Sequence, residues 1–298
     1  MKSLLTNRRA ALAALAALPG LRFVFAGNSV AAQSEPPARD VIRELVRHGV
    51  RKVCAIVGHY ENQWIVTEGI DLAMRECGHT GLRVARLAGM GIFSNYSVQS
   101  IDFALEGGAI DTDGQGTLLT TWQCLSERHP GADRASLSRK LADWLHQDRV
   151  LWLDHGYLEG DDTDAHVDTL ARFAAPDAIV YQACDDPADS HYRELHAMAD
   201  EIAGLRTVDG APYRRFPLPW PRPVLDRGRR LAASYANFLI VNGAVLMPAY
   251  DDPADAPAAD VLRAAFPGRE IVQVPCSGLI WQNGSLHCLT MQLPQGAM

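Results

Sequence analysis

The feature of this sequence that most restricts its fold is a repeated succession of short apolar stretches and longer stretches with helical periodicity. Residues 107–121 predict two short strands around an Asp-Gly turn, and further strands are expected near 150–153 and 178–182. Residues 187–205 predict a long helix with a proline near its first turn. The other predicted elements are helices at 39–47, 62–76 and 253–266, strands at 53–57 and 270–274, and a hairpin of 237–241 with 244–248 across Asn242-Gly243. Strands that alternate with helices in this way indicate the α/β class.

Size and charge narrow the classes of function. The 298 residues, 48% of them hydrophobic, can bury one large core or two modest ones. A formal net charge of −7 argues against a nucleic-acid-binding protein, for which a basic stripe is typical, and favours encounters with small cations. Six cysteines without close pairs do not indicate a disulfide framework or a zinc finger. Five are interpreted as buried or incidental thiols: Cys54, Cys77, Cys124, Cys184 and Cys276.

The remaining cysteine, Cys288, is the candidate nucleophile. Cys288 follows a glycine turn, and His166 and Asp168 lie two residues apart in mid-chain. A thiolate is a nucleophile, a histidine can donate and accept protons near neutral pH, and a carboxylate can bind a planar cation. If the segment around His166 is extended, both of its polar side chains point to the same side. Together the three groups are suited to attack on the carbon of a guanidinium.

Five motifs in order resemble the agmatine deiminase family, relatives of the bacterial peptidylarginine deiminases. They are Leu-Glu-Gly-Gly-Ala-Ile at 105–110 with the Asp-Gly-Gln-Gly turn and strand at 113–121, Gly-Asp-Asp-Thr-Asp-Ala-His-Val-Asp at 160–168, Ala-Arg-Phe at 171–173, Ala-Ser-Tyr-Ala-Asn-Phe at 233–238, and Gly-Ser-Leu-His-Cys-Leu-Thr-Met-Gln at 284–292. The resemblance extends from about residue 103 to 294. It implies a pentein fold, an α/β propeller of five blades around the substrate, of which about three are recognisable here.

The resemblance also implies roles for individual residues. Cys288 resembles the nucleophile that forms a thioether intermediate, and His166 the acid and base that protonates ammonia and then activates water. Asp168 and Glu106 resemble the carboxylates that bind the guanidinium, and Asn237 matches a position that lines the substrate pocket. Two other interpretations stay open from the residues alone: Glu106 before a glycine pair can simply end a strand, and Asn237 can be an amide satisfied by the backbone.

The N-terminal third does not follow this family. A Trp-x-Arg-Asp-x-Gly-Pro segment, whose aspartate is another guanidinium ligand in the family, is missing upstream of Glu106. Residues 36–88 instead resemble part of creatininase, a metal-dependent amidohydrolase. In that resemblance His59 and Glu61 of a Gly-His-Tyr-Glu-Asn stretch are metal ligands, although the family's further ligands have no counterpart here.

Three regions are therefore expected. Residues 1–33 resemble a twin-arginine export signal, with an equally weighted alternative of an alanine-rich helix, so that cytoplasm and periplasm both remain open. Residues 34–100 form a creatininase-like α/β segment with a connector, and residues 101–298 form the deiminase domain. No other segment approaches the length of a membrane-spanning helix.

The sequence thus predicts a hydrolase of guanidino C–N bonds, with agmatine favoured and peptidyl-arginine left open. Its partner would be a small cationic guanidino compound, neither nucleic acid nor membrane, and a homo-oligomer is left open. No cofactor is required by that chemistry. The alternatives are a creatininase-like metal-dependent hydrolase, or a relative impaired by the missing aspartate.

Overall fold

The computed structural model describes residues 101–290 apart from Asn242, together with two short strands near the N-terminus. These are β1 (Phe23–Gly27) and β2 (Val53–Val57), which pair in parallel. The second confirms the strand predicted at 53–57. The helices predicted at 39–47 and 62–76, as well as His59 and Glu61, lie outside the described residues.

The described body is built from three repeated units, each a three-stranded sheet with helical crossovers. The first contains β3 (Ile110–Thr112), β4 (Thr117–Thr121) and β5 (Arg149–Leu153), with α1 (Trp122–Arg128) and α2 (Arg134–Leu145) between the last two strands. β3 is antiparallel to β4, and β5 is parallel to it. A hairpin therefore opens each unit, and a helical crossover brings the third strand back beside the second, as parallel pairing requires.

The second and third units repeat this order. The second consists of β6 (Ala171–Ala175), β7 (Ala178–Gln182), α3 (Tyr192–Gly204) and β8 (Arg214–Leu218). After a two-stranded hairpin of β9 (Leu225–Asp226) and β10 (Arg229–Arg230), the third consists of β11 (Leu239–Val241), β12 (Ala244–Ala249), α4 (Asp255–Ala265) and β13 (Glu270–Pro275). The three units correspond to the three blades that the sequence predicts.

Most boundaries agree with the sequence, and one does not. The long helix expected at 187–205 begins only at Tyr192. The preceding residues form turns in which Asp186 accepts a hydrogen bond from the amide of Ala188 and Asp189 accepts one from the amide of His191. Aspartate side chains that bond to a following backbone amide compete with the helix in this way.

The blades share buried contacts rather than standing apart. Arg172 in β6 is 4% exposed and donates to Asp111 Oδ1 of the first blade at 2.7 Å and to the carbonyl of Phe238 in front of β11 at 3.0 Å. The amide of Phe173 donates to the other oxygen of Asp111. One guanidinium thus links all three blades. Among the described residues, no helix combines the length and hydrophobicity needed to cross a bilayer.

Candidate active site

The predicted site residues come from equivalent places in the blades. Glu106, Asp168 and Asn237 each lie a few residues before the first strand of a blade, which begins at Ile110, Ala171 and Leu239 respectively. Cys288 lies in a 3-10 turn, His287–Leu289, after the last strand of the third blade. The repeated architecture therefore brings residues that are far apart in sequence to one place.

A buried amide holds the thiol in position. Asn237, which is fully buried, accepts hydrogen bonds at Oδ1 from the amides of His287 (2.8 Å) and Cys288 (3.3 Å). Its Nδ2 donates to Cys288 Sγ (3.2 Å) and to the carbonyl of Asp168 (3.3 Å). These contacts use both donors and both acceptor positions of the amide. The contacts agree with the alternative of an amide that is satisfied within the protein, and the substrate-binding role of Asn237 stays a prediction.

Asp168 is the carboxylate next to the thiol. It is 1% exposed, and its Oδ2 accepts a hydrogen bond from His287 Nδ1 at 2.7 Å and lies 3.7 Å from Cys288 Sγ. Burial acts to raise the pKa of this carboxyl, but the hydrogen bond from His287 and nearby positive charge outweigh it and lower the pKa. Asp168 is therefore an anion that can attract a cation. The sequence reasoning missed His287, although a second imidazole directly before the thiol was a visible signal.

His166 and Asp168 both face Gly108, although the extended segment that the sequence analysis expected is absent. The segment is not extended: Val167–Thr169 is a 3-10 turn with His166 at its N-terminal end. A methyl group on Gly108 would lie 2.6 Å from His166 Nδ1 and 2.9 Å from Asp168 Oδ2, whereas one on Gly107 would meet nothing within 4 Å. Only glycine at 108 leaves room for the two side chains to come together.

Glu106 reaches the site from the first blade. Its Oε1 accepts a hydrogen bond from Arg128 Nε at 2.6 Å, and Arg128 also donates to Asp164 Oδ2 at 2.6 Å. Cys124, in α1, is fully buried as the sequence predicts, and its thiol approaches both Glu106 and His166. Arg128 is a further residue that sequence reasoning did not identify.

The environment of Cys288 keeps its thiol protonated in the absence of a cation. Removal of the sulfur from water and the negative charge of Asp168 raise its pKa well above 9, against the opposing hydrogen bond from Asn237. The sulfur itself is buried, while residue Cys288 as a whole keeps partial contact with solvent. A cation placed between the thiol and Asp168 would remove the main electrostatic obstacle to the thiolate.

Three buried polar atoms in this cluster have no hydrogen-bond partner. Within the described part of the chain, the buried side-chain nitrogen and oxygen atoms without a partner are Glu106 Oε2, His166 Nε2 and Asp168 Oδ1. Unsatisfied buried groups are rare in native structures and often mark a place for a ligand. Two carboxylate oxygens and one imidazole nitrogen beside a thiol suit a ligand that is cationic and rich in N–H donors.

Repeated α/β blades that carry a thiol, an imidazole and paired carboxylates define the class of deiminase-type propellers. The chain belongs to the Porphyromonas-type peptidyl-arginine deiminase family, whose sequence model matches residues 74–294. Agmatine deiminase from Pseudomonas putida is 38% identical over 216 residues, which cover 66% of this chain and 58% of the relative. Agmatine deiminase from Pseudomonas aeruginosa is 36% identical over 213 residues, 65% of this chain and 58% of the relative. The chain thus spans about three fifths of the length of these curated relatives.

Solved structures show the same fold. A protein from Porphyromonas gingivalis, provisionally named an arginine deiminase, superposes with a TM-score of 0.69 at 33% identity, over 92% of this chain and 95% of that one. A cysteine-to-serine variant of agmatine deiminase from C. jejuni with bound substrate superposes with a TM-score of 0.66 at 27% identity, over 80% and 81% of the two chains. The predicted family and pentein-type α/β fold are confirmed.

The family relationship extends further toward the N-terminus than the sequence motifs indicate. The family match begins at residue 74, inside the stretch 36–88 that resembled creatininase, and none of the matches described above shows a creatininase relationship. The division of the chain at about residue 100, the metal ligands His59 and Glu61 and the export signal stay predictions.

Proposed function

We propose that this chain hydrolyses a guanidino C–N bond through a covalent intermediate on Cys288, with agmatine as substrate. The observation that carries the proposal is the set of three unpartnered atoms, Glu106 Oε2, His166 Nε2 and Asp168 Oδ1, in the same cluster as the Cys288 thiol. The other oxygen of each carboxylate accepts a hydrogen bond within the protein, that of Glu106 from Arg128 and that of Asp168 from His287. One oxygen of each is left for the N–H groups of a planar cation.

In the proposed reaction the substrate activates its own nucleophile. The guanidinium, bound by Glu106 and Asp168, offsets the negative charge that raises the pKa of Cys288, and the thiol loses its proton to His166. The thiolate attacks the guanidinium carbon, a C–S bond forms, and the C–N bond to the departing nitrogen breaks. His166 returns the proton to that nitrogen, which leaves as ammonia.

The second half-reaction reverses the roles. His166 takes a proton from a water molecule, and the resulting hydroxide forms a C–O bond to the same carbon. The C–S bond then breaks, the added hydroxyl loses its proton to solvent to give the ureido product, and the released thiolate recovers its proton from His166. With agmatine the products are N-carbamoylputrescine and ammonia, so the class of reaction is deimination that feeds polyamine formation. Nothing is oxidised or reduced, and the only co-reactant is water.

Agmatine is proposed as the substrate because of the names of the curated relatives. The curated proteins from both Pseudomonas species carry the name agmatine deiminase, while the matching family is described by peptidyl-arginine deimination. The acidic net charge suits the doubly charged agmatine better than the carboxylate of free arginine, since charge steers the encounter.

The test is a quantitative assay of ammonia and of ureido product on agmatine, arginine, an arginine-containing peptide and creatinine, each with and without a chelator. We expect turnover of agmatine that is unaffected by the chelator and is lost in Cys288→Ala. Cys184→Ala, which removes a buried thiol that bonds to the carbonyl of Asp186 rather than to a residue of the site, is the matched control and should retain activity. Turnover of creatinine that a chelator abolishes would favour the metal-dependent alternative. A folded protein without product on any substrate would favour the impaired relative.

A further inference from the structure

A second thiol shares two of the site's side chains. Ligand atoms of Glu106, Cys124 and His166, one from each residue, all lie within 4.8 Å of one another. Cys124 takes no part in the proposed reaction. Two of the three residues also contribute buried atoms without a hydrogen-bond partner, Glu106 Oε2 and His166 Nε2, and only 8% of His166 is exposed.

The three donor types are a thiol, an imidazole and a carboxylate, a combination that suits a borderline-soft divalent cation such as Zn²⁺. In a tetrahedral site with ordinary zinc bond lengths the ligand atoms are about 3.4–3.6 Å apart. Starting from separations of 4.8 Å or less, they need to approach by at most about 1.4 Å, which side-chain rotation can supply. Three protein ligands leave the fourth position to water, the arrangement of an open zinc site.

We propose that Glu106, Cys124 and His166 form an inhibitory binding site for Zn²⁺ or a cation of the same chemistry. Binding engages the carboxylate and the imidazole that the substrate and its proton transfers require. Metal and guanidinium therefore exclude each other. The binding itself is independent of the proposed function, whereas the inhibition rests on it.

The charge and proton balance of the site is simple. A Zn–S bond forms as the Cys124 thiol releases its proton to solvent, and nothing is oxidised or reduced. Thiolate, carboxylate and neutral imidazole together neutralise the charge of the cation. Arg128 can keep its bond to Glu106 Oε1, because the unpartnered oxygen is Oε2.

Burial, and then the charge of Glu106, raise the pKa of Cys124 to about 12; Asp164 and Asp161 act in the same direction and Arg128 against it. The thiol is therefore protonated before metal binds, and binding releases its proton.

The experiment measures zinc binding directly, by equilibrium dialysis of the full chain with Zn²⁺ alone. It is done in the Cys288→Ser background, so that the other thiol of the cluster cannot serve as a ligand. We expect one bound zinc per chain, and an affinity at least 100-fold weaker when Cys124→Ala is added. Cys276→Ala is the matched control, because Cys276 is also fully buried and also has a pKa raised to about 12. It should leave the affinity within about threefold. Co²⁺ in place of Zn²⁺ should give a thiolate charge-transfer absorption band that disappears only with Cys124.

The results separate the possibilities. Zinc binding that survives Cys124→Ala, or that disappears in Cys288→Ser alone, overturns the proposal, as does the absence of binding to a folded chain. Binding that depends on Cys124 in a protein without deiminase activity supports the metal site and refutes the proposed function. If the chain is active, zinc should inhibit competitively with agmatine, and Cys124→Ala should turn over substrate and resist that inhibition. Zinc inhibition that is unchanged in Cys124→Ala contradicts the proposal.

Discussion

The contacts of Asn237 predict two separable effects when its side chain is removed. In Asn237→Ala the amide of Cys288 loses its side-chain acceptor, while the amide of His287 keeps a second acceptor in the carbonyl of residue 237, at 3.2 Å. An unsatisfied buried donor costs about 1–3 kcal/mol, and truncation of a fully buried side chain adds to it. We expect the free energy of unfolding in urea to fall by about 2–4 kcal/mol.

The second effect is on the thiol. The bond from Asn237 Nδ2 to Cys288 Sγ stabilises the thiolate, and a hydrogen bond to a charged group contributes about 1.5–3 kcal/mol, or about 1–2 pKa units. A higher pKa lowers the thiolate fraction by 10- to 100-fold but makes each thiolate more nucleophilic, with a Brønsted coefficient near 0.45. The net loss in the rate of alkylation by a haloacetamidine at pH 7 should therefore be about 3- to 12-fold.

The assay compares alkylation rates and urea unfolding curves of Asn237→Ala with those of Asn283→Gly. Asn283 is half-buried on the segment just before the thiol and has a left-handed backbone that glycine tolerates. Its side chain donates to Asp162 and accepts from Arg229 rather than bonding to Cys288. It should change both quantities little. An alkylation rate in Asn237→Ala equal to that of the wild type, despite a measured loss of stability, would refute the assignment of this amide to the thiol.

Three further predictions follow from the same structure. Gly108→Ala should lower turnover of agmatine by about 100-fold or more with little change in fold by circular dichroism, because its methyl group would displace His166 and Asp168 and a misplacement of about 1 Å at a reacting centre has that cost. Gly107→Ala should keep turnover within about threefold of the wild type. Equal effects of the two substitutions would contradict the packing argument. Arg172→Leu should lower the urea unfolding free energy by about 3–5 kcal/mol because it leaves the largely buried Asp111 carboxylate without its cationic partner. Loss of the exposed Arg214 should cost at most about 1 kcal/mol, and similar values for both would count against the linking role. The alkylation rate of Cys288 without substrate should rise about tenfold per pH unit from about pH 6 to 9, since its raised pKa leaves a thiolate fraction that increases with pH. A rate that levels off at or below pH 9 would show that the pKa is not raised.

Local patterns in the sequence predicted much of the fold. The strands β5, β7 and β13 and the hairpin of β11 and β12 lie where apolar runs and the Asn-Gly turn indicate. The helices α1 and α2 and the strands β6 and β8 were not predicted from the sequence. The late start of α3 depends on Asp189, whose side chain is held by Arg230 and Trp220 from outside the helix. Such long-range contacts do not register in a local pattern.

The same division applies to the candidate site. The chemical types at Cys288, His166, Asp168 and Glu106 followed from the motifs, because nucleophile, proton carrier and carboxylate are properties of single residues. Which groups bond to one another did not. His287 as the partner of Asp168, and Arg128 as the partner of Glu106, are separated from those residues by 119 and 22 positions, and only packing brings them together.

By itself the sequence determined the α/β class and the reactive groups of this protein, since these depend on local periodicity and on side-chain chemistry, whereas the three blades followed from the resemblance to the family. The tertiary structure alone decided that Asn237 is saturated by the turn around Cys288, that Gly108 leaves the space in which two side chains meet, and that Cys124 approaches Glu106 and His166. The physical reason is that burial, unsatisfied polar atoms and shifted pKa values arise from the whole set of neighbours around an atom, and those neighbours come from different blades.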